Sequence, residues 1–455
     1  MTVRELTLSQ AAVAYGGTLL YPDCRFSRVS TDSRTLAAGE LFVALRGDNY
    51  DAHLFLKEVA DKACGLVVQY PDKQLNKPQW VVPDTVLALG QLAKLAREQF
   101  DGPLIALTGS SGKTTVKEML TSILGCVAPV LATRGNLNNH IGVPKTLLAL
   151  EKEHRYAVLE MGASGPGEIA YLVSLARPTV ALVNNVMPAH VEGFGSLAGV
   201  AAAKGEIYGG LGPKGTAVIN LDEPWARDWR RRLPCVSVVT FSREQAHADL
   251  RASDVRLDHR GNAAFILHIS GQQLPVSLPV PGQHNVANAL AAAACALAAG
   301  VAPITIAAGL EATRTVAGRM EFKSGPRDSV IIDDSYNANP GSVKAAIDLL
   351  GALEGRRLLV LGDMAELGPQ ARALHRDVGE YAKDAGIDQL LAIGPLSQEA
   401  VAGFGAQGQW YPDRSALIKH LRETLDANTT ALVKGSRSAA MDDVVNQLVD
   451  KGRAA

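Results

Sequence analysis

A chain of 455 residues has room for about three domains. Its composition, 47% hydrophobic and 20% charged, suits globular units with sizeable cores, and its formal net charge of −1 argues against broad electrostatic nucleic-acid binding, which needs a basic face. A local basic pocket for an acidic small molecule stays open. Five cysteines (Cys24, Cys64, Cys126, Cys235, Cys295) lie scattered without C-x-x-C spacing and read as buried or inert thiols of a reducing compartment. The opening M-T-V-R-E-L-T carries no signal-peptide core. The uncharged stretch 286–310 is too alanine-rich and interrupted for a membrane span. A cytoplasmic location is expected.

The first eighty residues alternate short strand and helix patterns. Strands over 25–31 and 40–45 end in T-D-S-R (31–34) and R-G-D-N-Y-D-A-H (46–53). A helix is expected from there to about residue 63, then a strand over 65–69. Small α/β units bind ligands at strand ends. Arg34 and Arg46 offer forked, permanently charged donors suited to a diphosphate or carboxylate, or are incidental loop arginines. Residues 84–100 read as a helix leading into the next strand.

That strand, 104–107, is apolar throughout and runs into T-G-S-S-G-K-T-T (108–115), after which helical spacing continues to 124. Gly109 and Gly112 let backbone N–H groups converge on an anion at a helix N-terminus. Lys113 can reach terminal phosphates, and the Thr114 hydroxyl can ligate Mg²⁺. Leu107 stands where the first glycine of the general phosphate-loop pattern belongs, so the loop is of an unusual subtype.

From 104 to about 223, strand, loop and helix repeat, which implies a largely parallel sheet. The loop R-G-N-L-N-N-H-I-G-V-P (134–144) offers Asn138 and Asn139 as ligands of a polar substrate or as turn residues. Y-A-V-L-E-M-G (156–162) puts Glu160 at a strand end, placed to hold Mg²⁺ or act as a base. A third strand ends near Asn184, Asn185 and His190. Lys204, in A-A-A-K-G-E, is either a solvated helix residue or a desolvated amine able to take up CO₂ as a carbamate. Segments 236–241, 263–269 and 273–280 alternate and read as an antiparallel extension. Asn285 is expected to cap the alanine-rich helix that follows, and Asn288, one turn in, to meet a nucleobase edge or solvent.

A boundary near 312–318 starts a new βα series with strands near 330–333, 358–361, 390–393 and 431–433. It lacks G-x-G-x-x-G and so does not spell dinucleotide binding. Asp334 can bond ribose hydroxyls, Lys434 and Arg437 can hold an anion, and Arg319 in G-R-M-E (318–321) is sited to close on ATP. The expected fold is α/β in three domains: a small N-terminal α/β substrate domain (1–83), a central phosphate-loop mononucleotide-binding domain (84–314) and a C-terminal Rossmann-like domain (315–455).

The co-linear set T-G-S-S-G-K-T-T, E-M-G, the N-N…A-H loop, A-K-G-E, H-N-x-x-N-A-L, G-R-M-E and D-D-S-Y-N-A-N-P resembles the Mur ligases, ATP-dependent enzymes that build the peptide of bacterial peptidoglycan precursors. T-D-S-R, G-E-L-F-V-A-L-R-G, Y-N-A-N-P and L-G-D-M-A-E-L-G are similar to the type that adds D-alanyl-D-alanine to UDP-N-acetylmuramoyl-tripeptide. The D-N-P-R of the sibling adding the third amino acid is missing. The resemblance implies that Gly109, Ser110, Ser111, Gly112, Lys113, Thr114 and Thr115 bind ATP phosphates, with Thr114 and Glu160 on one Mg²⁺. His190 and a carbamylated Lys204 would serve a second metal site. Lys113, Glu160, His190 and Lys204 would carry the chemistry, and Asn288, Arg319 and Asp334 would contact the nucleotide. Ser33, Arg34 and Arg46 would bind the UDP end, Asn138 and Asn139 the sugar–peptide part, and Tyr336, Asn337, Lys434 and Arg437 the dipeptide. The chemistry of a carboxylate electrophile further implies an acyl-phosphate intermediate, the three-domain layout suggests open and closed forms, and a monomer is expected. Alternatives are a sibling ligase adding a single amino acid, a folylpolyglutamate-synthetase-like ligase, or a regulatory ATPase that ligates nothing.

Overall fold

The computed structural model describes residues 5–47, 50–188, 191–233 and 236–449. Three principal sheets divide them. The N-terminal sheet has five strands in the order Thr18–Leu20, Gln79–Val81, Gly65–Val68, Leu41–Val43, Val29–Ser30. The central sheet has nine, beginning Val130–Ala132, Tyr156–Glu160, Leu104–Thr108, Val180–Val183, Thr216–Asn220, and the third domain has six. The α/β expectation in three domains holds.

Strand alternation explains the central layers. Ile105, Leu107, Val158, Val180 and Leu182 face one helical layer, while Leu104, Ala106, Ala157, Leu159, Ala181 and Val183 face the other. Successive side chains of a strand point to opposite faces, so a parallel sheet buried on both sides must be apolar at every position. The third domain repeats the device: Ile332, Leu359, Leu361 and Leu432 lie on one face, Ile331, Leu358, Val360 and Val433 on the other. The helix Thr85–Glu98, capped by the Asp84 side chain on Val86 and Leu87 N–H groups, joins the first two units. Its Leu89, Leu92 and Ala96 pack in the N-terminal core and its Ala93 in the central one.

Parallel register brings the functional strand ends to one edge. Leu107 pairs with Glu160 on one side and Leu182 on the other, so the loops after all three strands open together.

Several elements differ from expectation. The strand expected over 25–31 is two pieces, because Arg25–Phe26 pairs antiparallel with Leu6–Thr7 and Val29–Ser30 pairs parallel with Leu41 and Phe42. The helix expected to reach 63 is a short turn, Ala52–Phe55, and one turn of α-helix, Leu56–Val59. Ser237–Ser242 continues the parallel sheet beside Thr216–Asn220, and the antiparallel part begins only with Leu250–Leu257, a strand whose polar, half-exposed sequence hid it. Asn285 does not cap its helix, which spans His284–Ala298 and starts after Gln283. Instead its amide donates to Pro281 O at 2.7 Å, tying the helix back to the preceding strand. Of the four described cysteines only Cys295 is buried; Cys126 is exposed, and Cys24 and Cys64 are intermediate. Cys235 lies outside the described residues. Among the described residues, no helix is long and apolar enough to cross a membrane.

Candidate active site

The phosphate loop connects Leu104–Thr108 to the helix Lys113–Gly125. Gly112 has φ 75°, and a Cβ there would lie 2.4 Å from Asn288 Oδ1 and 2.8 Å from Asn184 Nδ2. Only glycine meets both demands. The loop after the third strand supports this one: Ser110 N donates to Asn185 O at 3.0 Å, Ser111 N to Asn185 Oδ1 at 2.8 Å, and Asn184 Nδ2 to Ser111 O at 3.0 Å. Asn184 Nδ2 also donates to Asn288 Oδ1 at 3.0 Å, and Asn288 in turn donates to Asn285. Asn288 therefore braces the loop from beneath.

A cavity of about 380 Å³ lies above it. The central domain lines it with Ser110, Ser111, Gly112, Lys113, Thr114, Thr115, Glu160 and Lys204, and with Asn138, Asn139 and Asn288; the third domain adds Arg319, Asp334, Tyr336, Asn337 and Lys434. Thr114 Oγ1 donates to Glu160 Oε2 at 2.8 Å, and Asn138 Nδ2 donates to Glu160 Oε1 at 3.0 Å, so both carboxylate oxygens are oriented. Asn139 turns the other way and accepts the N–H groups of Ile141 and Gly142. Arg319 Nη2 donates to Thr114 Oγ1 at 2.9 Å, and its guanidinium lies 4.2 Å from the centre of the Tyr336 ring. Its Nε is buried and makes no hydrogen bond among the described residues. Lys113 Nζ donates to Gly109 O at 2.7 Å.

Electrostatics sort the cationic groups. Burial, with Lys113 adding like-charge repulsion, lowers Lys204 to a pKa of about 7. Burial likewise lowers the pKa of Lys113, Glu160 opposing and Arg319 reinforcing the shift. Burial raises the carboxyl of Asp334, against the pull of Lys434, which is ion-paired to it and also donates to Asn337 O at 3.0 Å.

Other expected residues lie apart from this cavity. Ser33 is buried in the N-terminal domain, where exposed Arg34 makes a forked pair with Asp32 and exposed Arg46 donates to the Tyr70 hydroxyl at 3.2 Å. Arg46 lines a separate cleft with Gln69, Asp84 and Thr85. Arg437 is exposed and pairs with Asp442 at 3.0 Å. His190 lies outside the described residues. Sequence reasoning missed Ser164, Glu168, His284 and Asn339, which also line the cavity. His284 and Asn339 stood within quoted motifs, and their place beside chemistry-bearing asparagines was the available signal. Burial, with Lys434 and Arg243 nearby, lowers His284 to about 4 and keeps it neutral.

The Mur ligase middle domain model matches residues 107–296, and the Mur ligase, glutamate ligase domain model matches 318–437. The chain is 45% identical over 450 residues to the UDP-N-acetylmuramoyl-tripeptide–D-alanyl-D-alanine ligase of Escherichia coli K12, covering 98% of this chain and 99% of that one. The crystal structure of MurF from Acinetobacter baumannii superposes with a TM-score of 0.91 at 37% identity, covering 98% of this chain and 99% of the other. The MurF ligase of Thermotoga maritima in complex with ADP gives 0.82 at 27% identity, covering 92% and 96%. With its phosphate loop facing Arg319, Asp334 and Lys434 of the third domain, and alike to these enzymes over nearly its whole length, the chain belongs to the Mur ligase family.

Proposed function

We propose that this chain is an ATP-dependent ligase that joins D-alanyl-D-alanine to UDP-N-acetylmuramoyl-tripeptide, giving the pentapeptide, ADP and phosphate. One observation carries this: a single cavity sets a central-domain phosphate loop against Arg319, Asp334 and Lys434 of the third domain, in a chain that matches a UDP-N-acetylmuramoyl-tripeptide–D-alanyl-D-alanine ligase over 98% of its length. The chain divides at about 83 and 314 into a substrate domain, an ATP-binding domain and a closing domain. It acts as a monomer in the cytoplasm.

A carboxylate is a poor electrophile, so an oxygen of the tripeptide carboxylate attacks the γ-phosphorus of ATP and ADP leaves. The dipeptide amine then attacks the acyl carbon, and phosphate departs from the tetrahedral intermediate. Two anions must meet in the first step, and fixed positive groups offset that repulsion. Lys113 and the N–H groups of residues 109–115 hold the phosphates. Arg319 contributes its unspent Nε and its charge. Asn288 and Asp334 flank the nucleotide. Ser33, Arg34 and Arg46 receive the UDP end, Asn138 and Asn139 the sugar–peptide part, and Tyr336, Asn337, Lys434 and Arg437 the dipeptide.

The donor set fits magnesium. Thr114 and Glu160 present hard oxygens 2.8 Å apart, and magnesium takes its remaining ligands from water and substrate phosphates. Among the described residues no group of three or more His, Cys, Asp or Glu is placed to hold a metal. When bound, the ion neutralises charge on the transferring phosphoryl group. Lys204, neutral above a pKa of about 7, can add CO₂ and release a proton, and the carbamate with His190 would serve a second ion. The test is the mass of the product: an increase of one dipeptide less one water confirms the assignment, and addition of a single amino acid moves the chain to a sibling step.

A further inference from the structure

Asn339 stands on the seam between the third domain and the phosphate loop, and one side chain serves both. Its Oδ1 accepts the Ser342 N–H at 2.9 Å, capping the helix Pro340–Gly351, while Ser342 Oγ accepts the Asn339 N–H at 3.0 Å. The cap fixes which amide atom is oxygen. Nδ2 is therefore left for the other side, where it donates to the Ser110 carbonyl at 3.3 Å.

Two residues on, the chain meets the same support again. A Cβ on Gly341 would fall 2.5 Å from Met187 Sδ, and the Met187 backbone exchanges two hydrogen bonds with Ser110 Oγ, at 3.1 and 2.9 Å. Among the described residues, the only other hydrogen bond between the third domain and the phosphate loop with its helix is Arg319 to Thr114. One such contact fixes a point but leaves the domain free to rotate about it. A second, on a different element, restricts that rotation to the line joining the two, and the close approach of Gly341 to Met187 lies on the same seam.

We propose that Asn339 is a positioning residue: its amide latches the third domain onto Ser110 and so sets where Arg319 and Asp334 stand relative to the nucleotide phosphates. This rests on the ligase assignment above but is tested separately from it. Asn339→Ser keeps a good helix cap and removes the long amide donor. One hydrogen bond corresponds to roughly a 2- to 10-fold effect. The expected result is an unchanged unfolding temperature and a larger radius of gyration than wild type in the presence of a non-hydrolysable ATP analogue. Turnover should fall about 2- to 10-fold with little change in KM for the UDP substrate.

Gly341→Val, which crowds Met187 at the same seam, should give the same signature in milder form, and adding Met187→Ala should reverse it. These variants carry the test if Asn339→Ser does not fold. Wild-type scattering and turnover in both Asn339→Ser and Gly341→Val would overturn the latch. So would a turnover loss that merely follows lost thermal stability. If wild type makes no product from the dipeptide, the ligase assignment fails, and scattering with the ATP analogue still decides the latch.

Discussion

Lys204 and Lys434 are buried in opposite walls of one cavity, 2% and 3% exposed, and have opposite chemistry. In the third domain, Lys434 is ion-paired to Asp334 and bonds the Asn337 carbonyl. In the central domain, no carboxylate among the described residues pairs with Lys204, and the charge nearest in effect is the like charge of Lys113. The acid two residues along, Glu206, is committed elsewhere: it accepts the N–H groups of Gly167 and Ala170 at the start of another helix. Burial makes a lysine reactive only where its charge is left uncompensated. Lys434 is an anchor; Lys204, with a pKa of about 7, is the lysine that reaches its neutral, nucleophilic form near neutral pH.

The largest effect is expected at Lys113, the phosphate-loop lysine whose charge acts on Lys204. A unit charge pair at 4 Å is worth about 4 kcal/mol at an effective dielectric of 20. Lys113→Ala should therefore lower turnover at least ~100-fold, at about 1.4 kcal/mol per tenfold. Near-normal turnover would remove the phosphate role. The next effect sharpens the contrast directly. Lys434→Met leaves Asp334 buried without its counter-charge and should cost about 3–5 kcal/mol of stability in denaturant titration. Lys204→Met replaces a buried amine that has no counter-charge among the described residues and should be neutral or stabilising. Equal losses would abolish the distinction between the two lysines.

Activity separates them in the other direction. Lys204→Ala should lose turnover that short carboxylic acids partly restore, and no rescue would count against the carbamate. Its pH dependence has a definite sign. The folded pKa of about 7 lies below the ordinary 10.5, so the folded state holds fewer protons than the unfolded state between those values. Stability should rise with pH across that window, more in wild type than in Lys204→Met, while a ¹³C-carbamate signal should fade below pH 7. The smallest effect is expected in the N-terminal domain. Arg34 pairs with Asp32 in the open, so Arg34→Ala should leave the unfolding temperature unchanged while raising KM for the UDP substrate.

What the sequence revealed follows the same division. The phosphate loop is contiguous, so its glycines, Lys113 and Thr114 could be read from spacing. Glu160 was legible as a carboxylate at the end of an apolar strand, because parallel register carries strand ends to one edge. Asn288 was placed at the nucleotide by motif, yet what it touches is Asn184 and Asn285, a contact set by helix packing that no local pattern encodes. The environment of Lys204 was undecidable from A-A-A-K-G-E, since it depends on where Glu206 goes. The short helix Leu8–Tyr15 was missed although Thr7 and Gln10 form a capping box visible in T-L-S-Q. The strand Leu250–Leu257 was masked by its charges, an edge-like composition that pairing overrode.

The most direct test is ADP release by the whole chain with UDP-N-acetylmuramoyl-tripeptide and ATP, with and without D-alanyl-D-alanine. The cavity that joins phosphate loop and third domain predicts sustained release only when the dipeptide is present. Sustained release without any amine acceptor would contradict it and leave a nucleotide-hydrolysing protein in place of a ligase.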